Sequence, residues 1–126
     1  MLLRIGEFSK LTNVPIRTLR YYDEINLFIP ITIDLFTGYR YYSEEQIEDL
    51  KLINKLKKLG FSLEEIKTNW NNFTDELMIK KQQELKEKQK NINENIKEID
   101  YLRSNIVDGK IMTKNKKKKE KVKTLF

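Results

Sequence analysis

The apolar positions of this chain fall into several short clusters followed by one long, thin stripe. Leu3-Arg4-Ile5-Gly6 reads as a short strand or lead-in, and Phe8 and Leu11, three apart, mark a short helix over residues 7–11. Thr12-Asn13-Val14-Pro15 is turn-like, because asparagine tolerates left-handed geometry and proline disfavours helix at the residue before it. Proline suits a first helical turn, so a second helix starts at Pro15, with Ile16 and Leu19 placed to face a core. On its other side Arg17, Arg20 and Tyr21 fall at i, i+3 and i+4 and share one face. Short helix, tight turn and second helix make a helix-turn-helix pattern.

Pro30 stops any continuation through Asn26–Ile29. Ile31-Thr32-Ile33 is rich in β-branched residues, Gly38 supplies a turn, and Tyr39-Arg40-Tyr41-Tyr42 favours a strand, which predicts a two-stranded wing. Strand alternation puts Tyr39 and Tyr41 on one face and Arg40 and Tyr42 on the other, so that one face packs on the domain while Arg40 projects toward a partner. Ser43-Glu44-Glu45-Gln46 has the form of a capping box, with Tyr42 and Ile47 at the staple positions. The helix it opens buries Ile47, Leu50, Ile53, Leu56 and Leu59 and ends at Gly60. Ser62-Leu63-Glu64-Glu65 repeats the device, with Phe61 and Ile66 as the staple. Trp70 and Phe73 close the domain.

Thr74 is a good N-cap, and Asp75 and Glu76 complement the positive end of the helix that follows. Met78, Leu85, Ile92, Ile99 and Ile106 then recur every seven residues. Ile96 and Leu102 widen the stripe in its second half, whereas Lys81, Gln82, Lys88 and Gln89 leave the first half thin. So polar a helix has no core of its own for this seam, and a partner is required. The pattern leaves parallel and antiparallel pairing equally open.

Composition narrows the chemistry. The 126 residues contain neither cysteine nor histidine, which excludes disulfides and thiolate metal sites and removes the commonest general base and metal ligand. The carboxylate pair Glu44/Glu45 is explained by its place at a helix start, and no phosphate-loop motif occurs, so no enzyme, cofactor or metal is expected. No apolar run approaches ~20 residues and the N-terminus has no apolar leader core, so a cytoplasmic protein away from membranes is expected. The net charge of +6 is concentrated at one end. Residues 110–126 hold eight Lys against one Glu, while residues 1–109 hold 17 basic against 18 acidic side chains. The body is therefore nearly neutral, and any basic surface on it is a local patch. Arginine forks match phosphate oxygens and guanine edges, which makes Arg17, Arg20 and Arg40 candidates for nucleic-acid contact.

Ile-Gly-Glu-Phe-Ser-Lys-Leu-Thr-Asn-Val (5–14), Thr-Leu-Arg-Tyr-Tyr-Asp (18–23), Thr-Gly-Tyr-Arg-Tyr-Tyr (37–42) and Leu-Lys-Lys-Leu-Gly-Phe-Ser-Leu-Glu-Glu-Ile (56–66) together resemble the DNA-binding domain of MerR-family transcriptional regulators. The resemblance implies a mainly α protein: a winged helix-turn-helix over residues 1–72, then a dimerisation helix over 74–108 forming an antiparallel coiled coil in a homodimer. Residues 109–126 would be a basic tail or a linker to a missing effector domain. It implies a dimer on pseudo-palindromic promoter DNA, distorting an unusually long spacer so that RNA polymerase can use the promoter. Arg17 and Thr18 would approach the major groove, Arg20, Tyr21 and Tyr22 the backbone, and Tyr39 and Arg40 the DNA from the wing. Lys57 would clamp DNA near the dyad. Met78, Leu85, Ile92, Ile96, Ile99, Leu102 and Ile106 would line the dimer seam. Metal-sensing members use cysteines that this chain lacks, and drug-sensing members carry a large C-terminal domain. The inducer stays open: the chain is either a fragment of a longer, drug-sensing-like regulator or a naturally short one, with Val122–Phe126 as a candidate first strand of a lost domain. The other readings are an architectural DNA-bending protein, a simple repressor without a sensor, and a coiled-coil module without DNA function.

Overall fold

A computed structural model describes residues 1–113 and comprises two compact units, Met1–Lys81 and a second beginning at Gln82. The first opens with strand β1 (Leu2–Arg4), which runs directly into helix α1 (Ile5–Thr12). The backbone N–H of Arg4 donates to the Glu7 carboxylate at 2.9 Å and closes the start of α1. Asn13 ends it in the left-handed conformation at φ 58°, as the turn chemistry predicts. Pro15 sits one position before helix α2 (Ile16–Glu24) in extended geometry. Between them Val14 is buried and its carbonyl accepts from the Ser9 hydroxyl at 2.6 Å, which locks the turn.

The wing is a three-stranded antiparallel sheet in the order β1-β3-β2, with β2 at Thr32–Ile33 and β3 at Arg40–Ser43. Its central strand pairs Leu3 with Tyr42 on one side and Thr32 with Tyr41 on the other. Helix α3 (Glu45–Lys58) follows, and here the structure departs from the sequence pattern. Ser43 is held in the sheet opposite Leu2, so its hydroxyl does not cap the helix. Only the reciprocal half of the box forms, the Ser43 N–H donating to Gln46 Oε1 at 2.9 Å, while Gln46 Nε2 donates to the Ile29 carbonyl. The second box, at helix α4 (Leu63–Asn69), forms completely: Ser62 N–H donates to Glu65 Oε1 at 2.8 Å, and Glu65 N–H donates to Ser62 Oγ at 3.0 Å. Its staple residues Phe61 and Ile66 are both buried.

The core of the first unit gathers side chains from β1, α1, α2, β3, α3 and α4. Phe8, Tyr42 and Phe28 form a three-ring cluster with near-parallel planes, centroids 4.4 Å apart for Phe8–Tyr42, 5.9 Å for Tyr42–Phe28 and 6.0 Å for Phe8–Phe28. Leu19, Leu50, Ile53 and Ile66 fill the space around them without measurable exposure. Two expected core residues lie elsewhere: Ile16 is 38% exposed and Leu59 47%. Each occupies an end of its helix, where the apolar face has already turned off the core. Phe73 meets Phe61 edge-on at 5.7 Å, and Trp70 packs partly buried against the same core.

Helix α5 spans Asp75–Arg103, 29 residues or roughly 43 Å at 1.5 Å per residue. Thr74 caps it, its Oγ1 accepting from the Leu77 N–H at 3.2 Å. Within the first unit the start of the helix is bolted to the α3–α4 corner by Lys81. Its Nζ donates to the Gly60 carbonyl at 3.2 Å, pairs with Glu65 at 3.7 Å and lies 4.8 Å from the Phe61 ring centroid.

In the second unit α5 ends five residues short of the expected boundary at 108. The chain reverses in a hairpin of β4 (Ile106–Val107) and β5 (Lys110–Ile111). Asp108 and Gly109 occupy its turn at φ 52° and 77°, the two positive values that a two-residue primed turn needs. Ile106 therefore stands on a strand opposite Ile111, and not on the helical seam. Residues 109–113 belong to this hairpin and its exit, not to a tail. The expected basic run at 116–119 and the strand at Val122–Phe126 lie outside the described residues. No helix among the described residues is long and apolar enough to cross a membrane.

Candidate nucleic-acid interface

Helix α2 buries Leu19 and Tyr22 and turns Arg17, Arg20 and Tyr21 outward, with Thr18 half-buried between. The exposed face thus carries two guanidinium groups and a phenol in the arrangement the i, i+3, i+4 spacing predicts. Tyr22 is different in kind. Its ring is core, and only its hydroxyl reaches outward, accepting from Lys57 Nζ at 2.8 Å. The same ammonium lies 5.5 Å from the Tyr22 ring centroid. Lys57, on the last turn of α3, is thereby held against α2 across 35 positions of sequence.

The wing is fastened to this helix by a second polar contact. Arg40 Nε donates to Asp23 Oδ2 at 2.9 Å, with both side chains partly exposed. Nε makes this bond, which leaves the Nη donors of the partly exposed guanidinium available for a further partner. Tyr39 next to it carries the Arg4 guanidinium over its ring, Cζ 3.8 Å from the centroid. Arg4, Lys10, Arg20 and Arg40 together line one cleft of about 480 Å³, with Tyr39 and the single acid Glu7. Four cations against one carboxylate suit an anionic ligand, and a polyanion running through the cleft would meet donors from β1, α1, α2 and the wing.

Burial shapes the ionisation behind this surface. The Tyr42 hydroxyl has no hydrogen-bond partner among the described residues, and burial, aided by the nearby Asp23 carboxylate, pushes its pKa up to about 12. It is a neutral wall behind the Arg40–Asp23 pair. At the wing tip, the N–H groups of Phe36 and Thr37 hold the Asp34 carboxyl below its ordinary range.

Arg20, Tyr39 and Arg40 thus meet in one cleft, and Tyr22 and Lys57 meet in a pair. Arg17 and Thr18 sit on the first turns of α2 outside that cleft. Arg4 and Lys10 were missed by sequence reasoning: each is an ordinary surface cation until the wing folds across α1. On α5, Met78, Leu85, Ile92, Ile96 and Ile99 are exposed and Leu102 is half-buried. Among the described residues, no cluster of three or more His, Cys, Asp or Glu side chains could hold a metal.

A short helix, a tight turn, an arginine-bearing helix and a basic wing define a winged helix-turn-helix protein of the DNA-binding class. The match to the MerR HTH family of regulatory proteins extends over residues 3–71, and the chain belongs to that family. It is 56% identical over 63 residues to the multidrug-efflux transporter 1 regulator of Bacillus subtilis, an alignment covering 50% of this chain and 23% of that protein. Among solved structures it is similar to the N-terminus of the Bacillus subtilis multidrug transporter activator Mta (TM-score 0.70, 32% identity), covering 79% of this chain and 95% of that one. It is also similar to EcmrR, solved by cryo-EM as an EcmrR–DNA complex in EcmrR-RPo (TM-score 0.73, 30% identity), covering 79% and 37%. The chain thus spans about a quarter of the first of these relatives.

Proposed function

We propose that the chain is the DNA-binding and dimerising part of a transcriptional regulator that grips a pseudo-palindromic promoter as a homodimer. The observation that carries this reading is the shared placement of Arg17, Arg20 and Tyr21 on the exposed face of α2, with Arg40 tied to the same helix through Asp23. Arg17 and Thr18 enter the major groove and read base edges. Arg20, Tyr21, Tyr39 and Arg40 grip the backbone on either side. Tyr22 serves through Lys57, holding its ammonium toward the phosphates.

Two chains pair through Met78, Leu85, Ile92, Ile96, Ile99 and Leu102 in an antiparallel coiled coil, which sets a fixed distance between the two reading helices. DNA whose half-sites do not match that distance must deform to be gripped by both. Smooth bending of a short site costs on the order of 1–6 kcal/mol, and charge-assisted phosphate contacts made only on distorted DNA offset it. Tyr21 and Lys57 near the dyad are the groups placed to make them. The distorted spacer is then presented to RNA polymerase. The similarity to a regulator named for a multidrug-efflux transporter supports the regulatory reading.

The test separates base reading from backbone gripping. Arg17→Ala should reduce discrimination between a selected operator and random DNA by roughly tenfold, since one bidentate base contact is worth ~1–3 kcal/mol. Arg20→Ala should instead weaken both duplexes alike and lower the salt slope by about one. Fluorescence anisotropy across a potassium chloride series reads both quantities. An unchanged specificity ratio in Arg17→Ala would show that α2 is not the reading head.

A further inference from the structure

Leu35 and Phe36 stand at the tip of the wing with 95% and 99% of their surface exposed. Two large apolar side chains so fully in water are costly unless something covers them. Their loop is also firmly built. Asp34 Oδ1 accepts from the N–H of Phe36 at 2.8 Å and of Thr37 at 3.1 Å. The Asp34 carbonyl accepts from the Gly38 N–H at 2.8 Å, and its N–H donates to the Tyr39 carbonyl at 2.9 Å. Gly38 adopts the positive φ, 74°, that the turn requires. The one acid of the loop is thus spent on its own backbone, the Thr37 hydroxyl accepts from the Tyr39 N–H at 3.1 Å, and Leu35 and Phe36 present apolar surface. Exposed Ile31 and Ile33 continue that surface down one edge of the wing.

We propose that Leu35 and Phe36 form an apolar wedge that enters the DNA minor groove beside the segment read by α2, an inference that rests on the DNA-binding reading above. Continuity with the cationic cleft selects DNA over a protein partner. Gly38, Tyr39 and Arg40, the return limb of the same turn, line that cleft with Arg4, Lys10 and Arg20. Phosphates held there fix where the tip goes. The last paired residues of the wing are Ile33 and Arg40, and the tip lies two to three residues beyond them. The turn is closed by the Asp34–Gly38 bond, so the tip is a narrow, short projection beyond the paired strands, suited to a minor groove about 6 Å wide. The groove walls are sugar C–H surfaces that suit an aliphatic and an aromatic side chain, and such wedges unstack a base step and kink the duplex. Leu35 and Phe36 carry no donor to read base edges, so the wedge selects by deformability and favours flexible pyrimidine–purine steps.

The probe is a duplex that the wild-type chain selects from a randomised pool, used with the Leu35→Ser/Phe36→Ser double variant. The wedge predicts binding weakened by roughly tenfold for two lost apolar contacts. It also predicts an unchanged salt slope and loss of hydroxyl-radical protection at the minor-groove positions flanking the major-groove contacts. Phe36→Leu should keep most of the affinity and the protection. Both side chains are solvent-exposed, so folding is not at stake, and circular dichroism verifies it. A double variant that binds and footprints like the wild type overturns the wedge alone, as does one that makes RNA polymerase fail to dock while the DNA footprint stays intact. A fall in the salt slope assigns the tip to phosphates and overturns it as well. Absence of salt-dependent binding by the wild type overturns the wedge and the DNA-binding reading together.

Discussion

Tyr22→Phe removes one oxygen atom from the protein and tests how the core and the DNA-facing surface are joined. The phenol accepts from Lys57 at 2.8 Å, and nothing else holds that ammonium among the hydrogen bonds of the described residues. A hydrogen bond to a charged group is worth ~1.5–3 kcal/mol. Lys57 is largely exposed and returns to water when released, so the cost to folding falls toward about 1 kcal/mol. The effect on DNA binding has a different origin. A free lysine side chain loses up to ~1.5–2 kcal/mol of rotamer entropy when a phosphate orders it. The Tyr22 hydroxyl has already met that cost in the unbound protein, so the variant should bind up to roughly tenfold more weakly. Lys57→Ala should weaken binding further and lower the salt slope by about one. The decisive measurement is the double-mutant cycle, read by anisotropy titration, with urea melts for stability. In the Lys57→Ala background, Tyr22→Phe should have no effect on binding. If Tyr22→Phe weakens binding equally in both backgrounds, the hydroxyl touches DNA on its own account and the positioning argument is wrong.

Two further outcomes are expected. Ile99→Asp places a charge in each half of the proposed seam, forfeiting ~1.5–3 kcal/mol of burial per chain before the charge is counted; sedimentation should find monomers at micromolar concentration, and a variant that stays dimeric refutes the seam. Glu65 is held below its ordinary pKa of 4.5, first by the Ser62 N–H and then by Lys81. Because the folded value is the lower one, the stabilisation is complete above the unfolded pKa and lost as pH falls through the folded value. Chemical denaturation of Glu65→Gln should therefore show lower stability than the wild type at neutral pH, a shallower decline below 4.5 and a difference that closes in acid, and an identical acid slope would remove Glu65 from that account.

The elements most legible in the sequence were those specified by neighbours in the chain. Ser62 and Glu65 are three residues apart, so their box was readable and formed in full. Asn13 and Pro15 encode their turn in the same local way. Ser43 carried an equal signal, but pairing with Leu2, 41 positions away, claimed it for the sheet. Ile106 misled through periodicity. The heptad reached it on count, while Asp108-Gly109, the stronger and more local hairpin signal, ended the helical stretch first. The site was legible where residues share one helix, as Arg17, Arg20 and Tyr21 do. It was illegible where the fold brings distant side chains together, as with Arg4 over Tyr39 and Lys57 on Tyr22. Lys81 shows the same limit from the other side: counted as a gap in a dimer stripe, it instead grips the Gly60 carbonyl of its own domain.

The hairpin that follows α5 also fixes where the described chain finishes. Met112 N–H donates to the Asn105 carbonyl at 3.0 Å, so the chain is brought back beside the place where it left the helix. A helix continued to Met112 would have carried that residue about 13 Å further along the axis. The hairpin works as a buckle, folding that length back on itself at the end of the helix.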